Sequence, residues 1–347
     1  MVQLKRDWVI SFTCFFTNCF MPRTMQSLPV STTVEQSFRK IELRMLKSMK
    51  FAIGSIILLA VGASPLAAIV GVVMAIAPKT QEVTLRFAAK VDNNPFSCGS
   101  TYRLGKPAIE QKVSDFRFYV SEVALVDNRG KTVPVTLMQD GKWQYQNVAL
   151  LDFENKTGAC TNGTTETRDR IVGTVPKGNY TGLKFTLGVP FELNHEDSTL
   201  APSPLNLTGL WWNWQSGYKF ARIDLQASNM TPMDMKSREG HGGGASGFLI
   251  HLGSTGCQAG TISEKVTNCD RPNRAITVLT RFDPARNVVV ADLAQLVASS
   301  NLNQNQPKTS PGCMSESNDR DCMGIMTNLG LSSTGKPAAT QTFFRVE

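Results

Sequence analysis

Short runs of alternating apolar and polar residues, separated by turn-forming residues, make up most of the chain after residue 80. Residues 82–91, EVTLRFAAKV, alternate with a period of two, which predicts a strand with one buried face. Residues 116–137 predict a strand, a turn at residues 127–130 and a second strand. The same pattern recurs in residues 177–190, 220–227, 247–253, 274–284 and 287–293. The chain is therefore predicted to be all-β, with its strands arranged as a β-sandwich or a barrel-like domain.

Helices and linkers contribute little to this pattern. Helical periodicity is confined to residues 291–300 and 322–331. Residues 229–246, NMTPMDMKSREGHGGGAS, predict a mobile loop between two strands, because their glycines lose much conformational entropy on ordering. No repeat or proline-rich linker divides residues 81–347, whose length suits a single domain with long loops.

The N-terminal part of the chain differs from the rest. Residues 51–77 form an apolar run that follows Lys47 and Lys50, so residues 45–80 are predicted to be a secretory signal peptide. The mature domain is then periplasmic or secreted. The run is also long enough to be a membrane anchor, which would hold the domain on the periplasmic side of the inner membrane. Residues 1–44 are predicted to be an upstream extension, either disordered or not translated.

The positive charge lies mainly in this N-terminal part. The whole chain carries +8, of which +6 belongs to residues 1–80 and only +2 to the remainder. The mature domain has no basic patch and no nucleic-acid-binding motif. We therefore expect no nucleic-acid partner.

Six cysteines follow the N-terminal segment: Cys98, Cys160, Cys257, Cys269, Cys313 and Cys322. Their even number in an exported chain, without any CxxC spacing, favours three disulfides over a thiolate metal site. Pairing within the sequence-near couples 257–269 and 313–322 would leave 98 with 160. Fifteen connectivities are open to six cysteines, so this pairing is a preference.

Histidine is rare in this chain, and two of its three copies flank a tryptophan cluster. His195 stands in GVPFELNHED and is predicted to lie in a loop, whereas His251 stands in GFLIHLG and is predicted to lie on a strand. Neutral imidazole is the commonest metal ligand in proteins. A histidine of a β protein is nevertheless more often a surface or hydrogen-bonded residue.

Three of the five tryptophans are Trp211, Trp212 and Trp214, in the string WWNWQ. On a strand, Trp212 and Trp214 would share one face and Trp211 would lie on the other, so the tryptophans of at least one face can simply fill the core. Indole nitrogen is a poor metal ligand. Oxidative ring opening to kynurenine, however, would create an aniline nitrogen and a carbonyl that can both bind copper.

Other motifs carry less information. Thioether ligands for Cu(I) are offered in the 229–246 loop by Met230, Met233 and Met235, beside His241. The HGGG string that begins at His241 resembles an esterase oxyanion motif, but the chain has no GxSxG nucleophile. No constellation typical of a hydrolase or of a dinucleotide-dependent oxidoreductase is present.

Several short strings, in a fixed order over nearly all of residues 83–347, resemble the MbnP family, the four-Cys proteins of the metallo-mystery pair system. These strings are CGSTYRLG, DFRFYVSEVALV, WQYQNVALLDFE, GLKFTLGVP with LNHED, PLNLTGLWWNWQSGYKF, HLGSTGC, PNR, FDP, the late cysteine pair and LGL. Trp211 departs from the family pattern, in which a variable aromatic residue or methionine is expected.

The resemblance implies a periplasmic copper-binding protein that is not an enzyme. It implies a di-haem peroxidase-like partner of the MbnH type, which converts a tryptophan to kynurenine, and it makes an outer-membrane copper uptake system a further candidate partner. The metal ligands implied are His195 and His251, with Trp214 favoured over Trp212 as the modified residue and Trp143 as a further candidate. Two alternatives stay open: a structural or adhesive β-sandwich without metal, and a copper-dependent redox enzyme.

Overall fold

The computed structural model describes residues 79–227, 247–259 and 265–347. All of them belong to one compact unit, Ala75–Glu347. The signal peptide or anchor predicted at residues 45–80 lies outside the described residues except at its last two positions. The predicted extension at residues 1–44 and the whole of the predicted loop at residues 229–246 also lie outside them.

Strands dominate the described residues, which confirms the all-β prediction. In chain order the strands are β1 Thr80–Val91, β2 Asn94–Pro95, β3 Thr101–Leu104, β4 Ile109–Asp127, β5 Thr132–Pro134, β6 Thr136–Leu137, β7 Gln144–Tyr145, β8 Val148–Asp152, β9 Arg170–Pro176, β10 Tyr180–Leu187, β11 Trp211–Asn213, β12 Gly217–Tyr218, β13 Ala221–Ala227, β14 Gly247–Leu252, β15 Thr255–Gln258, β16 Asn268–Arg271, β17 Ala275–Thr280, β18 Val288–Asp292 and β19 Phe344–Val346. The helices are α1 Phe191–Asn194, α2 Leu293–Leu296 and α3 Asp321–Asn328, and a 3-10 turn spans Thr208–Leu210.

The strands form two large sheets and two short ribbons. The first sheet has the order β19-β18-β1-β9-β6, with β2 beside β1, and its β1–β18 pair is parallel. The second has the order β14-β13-β4-β10-β17, with β3, β5 and β8 also pairing with β4, and β7 with β8. The ribbons are β11–β12 and β15–β16.

The core lies between the two large sheets, so the fold is a β-sandwich. Strand β1 buries alternate residues, as its period-two pattern predicts. Its Phe87 packs edge-on against Phe185 of β10, with 5.8 Å between ring centroids. Phe344 of β19 packs in the same way against Phe185 at 5.0 Å and against Phe118 of β4 at 5.6 Å.

Strand β4 is buried on both faces, which positions the candidate site. Phe116 and Phe118 face the core, whereas the alternating residues Asp115, Arg117 and Tyr119 point to the other side. That side is covered by the chain that follows β10: the Tyr119 hydroxyl donates to the Pro204 carbonyl at 2.8 Å. The second sheet therefore carries a layer of polar groups beneath a covering loop.

Three disulfides tie down the loops, and their pairs are the ones that the sequence analysis favoured. Cys98–Cys160 has a Cα–Cα distance of 5.5 Å, Cys257–Cys269 one of 3.8 Å and Cys313–Cys322 one of 4.6 Å. Cys257–Cys269 joins the two strands of the β15–β16 ribbon.

The two predicted helices are present but shorter than their sequence patterns. The first is α-helical over Leu293–Leu296 and the second over Asp321–Asn328. No helix within the described ranges has both the length and the apolar character that crossing a membrane requires.

Candidate metal centre

His195 lies directly after α1, a single helical turn that the sequence pattern did not predict. The ring of Phe191, one turn earlier, packs edge-on against the His195 ring at 5.0 Å. Asn194 is buried, and its Oδ1 accepts a hydrogen bond from the Tyr218 backbone N–H at 2.9 Å. The position of His195 is thus fixed relative to the β11–β12 ribbon.

Gly217 allows this close approach between α1 and the ribbon. Its φ is +77°, in the left-handed region that glycine adopts readily. A Cβ atom at this position would lie 2.3 Å from the carbonyl oxygen of Asn194. A glycine is therefore required where the backbone meets the residue before His195.

The contacts of the His195 ring favour the tautomer that carries its proton on Nδ1. Nδ1 lies 3.4 Å from the carbonyl oxygen of Trp214, which can only accept. Nε2 lies 3.1 Å from the Asn194 amide nitrogen and 3.5 Å from Sγ of Cys269. Burial lowers the pKa of His195, and contacts with the Trp214 and Gln215 backbone only partly offset this. The ring is thus neutral at pH 7, and its Nε2 accepts a hydrogen bond from the Asn194 amide while it faces Sγ of Cys269.

Trp214 lies in the turn after β11, not on the strand. The Asn213 side chain accepts hydrogen bonds from the backbone N–H groups of Gln215 and Ser216 at 2.9 and 2.8 Å, which closes this turn. The expectation that Trp212 and Trp214 share one strand face is therefore wrong. The Trp214 side chain packs against a small cluster that contains Cys257 and Cys269, with Val266 and Ala259.

The other tryptophans lie in different surroundings. Trp212 touches Gly253: a Cβ atom added to Gly253 would lie 2.4 Å from Cζ3 of Trp212. Trp211 and Trp143 both pack against the main core, and the Lys142 ammonium lies 5.2 Å from the Trp143 ring centroid. The structure therefore brings Trp214 alone of these residues into contact with both His195 and the Cys257–Cys269 cluster.

His251 lies on β14, as predicted, but deep in the molecule. It is 6% exposed, and its Nε2 lies 2.7 Å from Oδ1 of Asp224. Arg222 lies opposite His251 in the β13–β14 pairing, and its Nε lies 2.8 Å from Oδ2 of Asp224. Burial opposes the charged form of Asp224, yet His251 and Arg222 outweigh it and lower the pKa of Asp224. With Nε2 engaged by this carboxylate, His251 would have to bind a metal through Nδ1.

A buried charged network extends from His251 across the second sheet. Its members are Asp115, Arg117, Asp152, Glu154, Arg222, Asp224 and His251. Arg117 forms a two-pronged ion pair with Asp115, and Arg222 reaches the same carboxylate at 3.1 Å. This network was not predicted from the sequence. The available signal was a pair of like-spaced charges in apolar strands, DFRF in β4 and ARID in β13.

The tryptophan segment, residues 205–218, contacts the surroundings of both histidines. At one end, the carbonyl oxygen of Trp214 meets His195 Nδ1. At the other, the carbonyl oxygen of Gly209 accepts a hydrogen bond from Arg222 Nη1 at 3.2 Å. Within the described part of the chain, the group of closely spaced potential metal ligands that contains His195 also contains Cys257 and Cys269 but not His251. The Met230, Met233, Met235 and His241 ligands considered from sequence lie outside the described residues.

Known proteins share both this fold and sequence similarity with the chain. The sequence profile of the MbnP family matches residues 80–315. The chain belongs to the MbnP family. The solved structure of MbnP from Methylosinus trichosporium is 34% identical, with a TM-score of 0.68, over 77% of this chain and 98% of that one. No curated protein matches the chain.

Copper, which the family resemblance implies, fits the donor groups present. His195 is held neutral by burial, as a nitrogen ligand must be. The imidazole of His251 is oriented by a carboxylate, which is the usual arrangement behind a metal-bound histidine. The backbone of Trp214 contacts His195 and its side chain packs on the neighbouring Cys257–Cys269 disulfide, so it would supply a third donor only after oxidation of its ring.

Proposed function

We propose that this MbnP-family protein binds copper through His195, His251 and a kynurenine derived from Trp214, and that it does so without catalysing a reaction. The modifying partner is a di-haem peroxidase-like protein of the MbnH type, and the compartment is the periplasm. The single observation that carries the proposal is that one segment, residues 205–218, touches both histidine environments. It places the Trp214 backbone carbonyl against His195 and the Trp214 side chain against the disulfide beside His195.

Each of the three residues would supply one donor to the copper. His195 offers Nε2, because Nδ1 faces a carbonyl oxygen. His251 offers Nδ1, because Nε2 is held by Asp224. Oxidation of the indole by one molecule of dioxygen, or by two of hydrogen peroxide with release of two water molecules, cleaves its C2–C3 bond and adds an oxygen atom to each carbon. Hydrolysis then releases C2 as formate, which leaves an aniline nitrogen and a ketone.

Such a donor set suits copper handling better than redox turnover. Two imidazoles and one further donor give a low-coordinate site that accommodates Cu(I). Burial of His251 and half-burial of His195 limit the access of water and of large substrates. We therefore place the protein in copper acquisition, storage or delivery.

Copper stoichiometry of variants tests this proposal. His195→Ala and His251→Ala should each reduce bound copper strongly in protein produced together with the haem partner. His241→Ala is the matched control, because it removes the third histidine of the chain, and it should bind copper as the parent does. Parent-like copper content in both His195→Ala and His251→Ala would contradict the proposal.

The tryptophan variants identify the modified residue. Trp214→Phe cannot yield kynurenine and should bind copper as weakly as protein made without the partner. Trp212→Phe and Trp143→Phe should behave like the parent. Loss of copper in Trp212→Phe alone would transfer the role to Trp212, which touches Gly253 two residues beyond His251.

A further inference from the structure

The disulfide Cys257–Cys269 has a potential metal ligand directly beside it. Sγ of Cys269 lies 3.5 Å from Nε2 of His195. The two sulfurs and this nitrogen all lie within 4.8 Å of one another. In the described part of the chain, no other group of three or more histidine, cysteine or acidic side chains brings its ligand atoms together in this way.

We propose that reduction of Cys257–Cys269 creates a second metal site, made of two thiolates and His195, that takes a thiophilic ion such as Cu(I) or Zn²⁺. Thiolate and imidazole together are the ligands that these ions prefer. The site goes beyond the copper site proposed above and shares only His195 with it. It needs neither His251 nor a modified tryptophan.

The β15–β16 ribbon can keep the two cysteines together without their bond. Cys257 stands opposite Cys269, and the pairs Thr255–Arg271 and Gln258–Asn268 flank it. The Gln215 side chain donates to the Cys257 carbonyl oxygen at 2.8 Å. Arg271 Nε donates to Thr255 Oγ1 at 3.1 Å, across the ribbon. Opening the disulfide therefore leaves the register of the ribbon in place.

The spacing of the two cysteines suits the sulfur–sulfur distance at a bound ion. Metal–sulfur bonds of about 2.3 Å at a tetrahedral ion separate two sulfurs by about 3.8 Å. The Cα atoms of Cys257 and Cys269 are 3.8 Å apart, so rotation of the side chains can reach this spacing without backbone movement. Each cysteine is 8% exposed, and Trp214 and Val266 pack against the pair.

The chemistry balances with a dithiol as reductant. A protein dithiol of the thiol–disulfide oxidoreductase class gives two electrons and two protons to the Cys257–Cys269 bond and becomes a disulfide itself. The metal ion then displaces both thiol protons and binds the thiolates, with the neutral His195 as third protein ligand. The other two disulfides lack a histidine neighbour of this kind in the described ranges.

Cobalt(II) binding to the purified protein tests the site, because cobalt bound to thiolates shows charge-transfer absorption in the near ultraviolet. The band should appear in protein reduced with a phosphine and stay absent in oxidised protein. Cys257→Ser combined with Cys269→Ser should abolish it. The matched control, Cys98→Ser with Cys160→Ser, should keep it. His195→Ala should weaken cobalt binding at least about tenfold, the loss that even an outer-shell partner typically causes.

Two outcomes would overturn the site: no band in reduced protein, or a band that survives in the Cys257→Ser and Cys269→Ser variant. Alkylation of the reduced parent gives an independent readout that needs no variant to fold. Zn²⁺ should slow the modification of Cys257 and Cys269 and leave that of Cys98 and Cys160 unchanged. Equal protection of all four cysteines would also overturn the site. Copper content of the oxidised, partner-modified protein decides the other proposal separately.

Discussion

Replacing Asp224 by asparagine tests whether the buried charged network positions His251. The Asp224 carboxylate is 4% exposed and contacts both His251 Nε2, at 2.7 Å, and Arg222 Nε, at 2.8 Å. Removing one partner of a buried ion pair typically costs about 3–5 kcal/mol, because the remaining charge is left uncompensated. Asparagine keeps the shape and one acceptor oxygen. We therefore expect a loss of about 3 kcal/mol in the free energy of unfolding, at the lower end of that range.

Thermal unfolding with the disulfides intact measures this loss. For a domain of this size, about 3 kcal/mol corresponds to a fall in Tm of roughly 6–12 °C. Asp283→Asn is the matched control, because Asp283 forms its ion pair with Arg286, which is 82% exposed, and it should leave Tm unchanged. A Tm for Asp224→Asn equal to that of the control would show that the Asp224 charge does not stabilise the folded domain.

The same variant has a functional readout. If Asp224 orients His251 for copper, then Asp224→Asn should weaken copper binding about 10–100-fold, as loss of an outer-shell partner usually does. A variant that loses stability but binds copper as the parent does would show that the network serves the fold alone.

Three further predictions concern charge, backbone and cysteines. Burial, and then the neighbouring Glu154, raise the pKa of Asp152 to about 8, so the protonated form of Asp152 stabilises the folded state at low pH. This contribution to the free energy of unfolding should be lost as the pH rises from about 4 to about 8. Urea unfolding of Asp152→Asn should show a smaller loss over the same pH window. Gly217→Ala should lower the free energy of unfolding by more than Gly141→Ala. Both glycines have a positive φ, but of the two only Gly217 would bring its new Cβ against a neighbouring atom, at 2.3 Å. Equal losses in urea unfolding would show that the contact with Asn194 does not matter. Thiol titration of unfolded, non-reduced protein that begins after residue 80 should find no free cysteine, since all six are paired, and two or more reactive thiols would contradict this.

Much of the strand content could be predicted because it depends on local alternation. Strand β1 buries every second residue over most of its length, and the sequence shows that period directly. The helical patterns at residues 291–300 and 322–331 were also recognised, although only four residues of the first and seven of the second are helical. Helix ends depend on tertiary contacts that a pattern does not contain.

The site could be predicted only in its parts. His251 was expected on a strand and lies there, but its contact with Asp224 requires the pairing of β13 with β14. His195 meets Cys269, which lies 74 positions away in sequence, through the unpredicted turn α1. Strand pairing over such separations is set by the packing of the whole sandwich. Local patterns therefore predict the candidate residues but not the residues that contact them in the folded chain.

Mass spectrometry of the protein produced with and without the proposed haem partner tests whether Trp214 is converted to kynurenine. Conversion of one tryptophan to kynurenine exchanges a carbon atom for an oxygen atom, and the mass change should map to the peptide that contains Trp214. Copper should be bound only by the modified form. An unchanged Trp214 in protein that nevertheless binds copper through His195 and His251 would contradict the account.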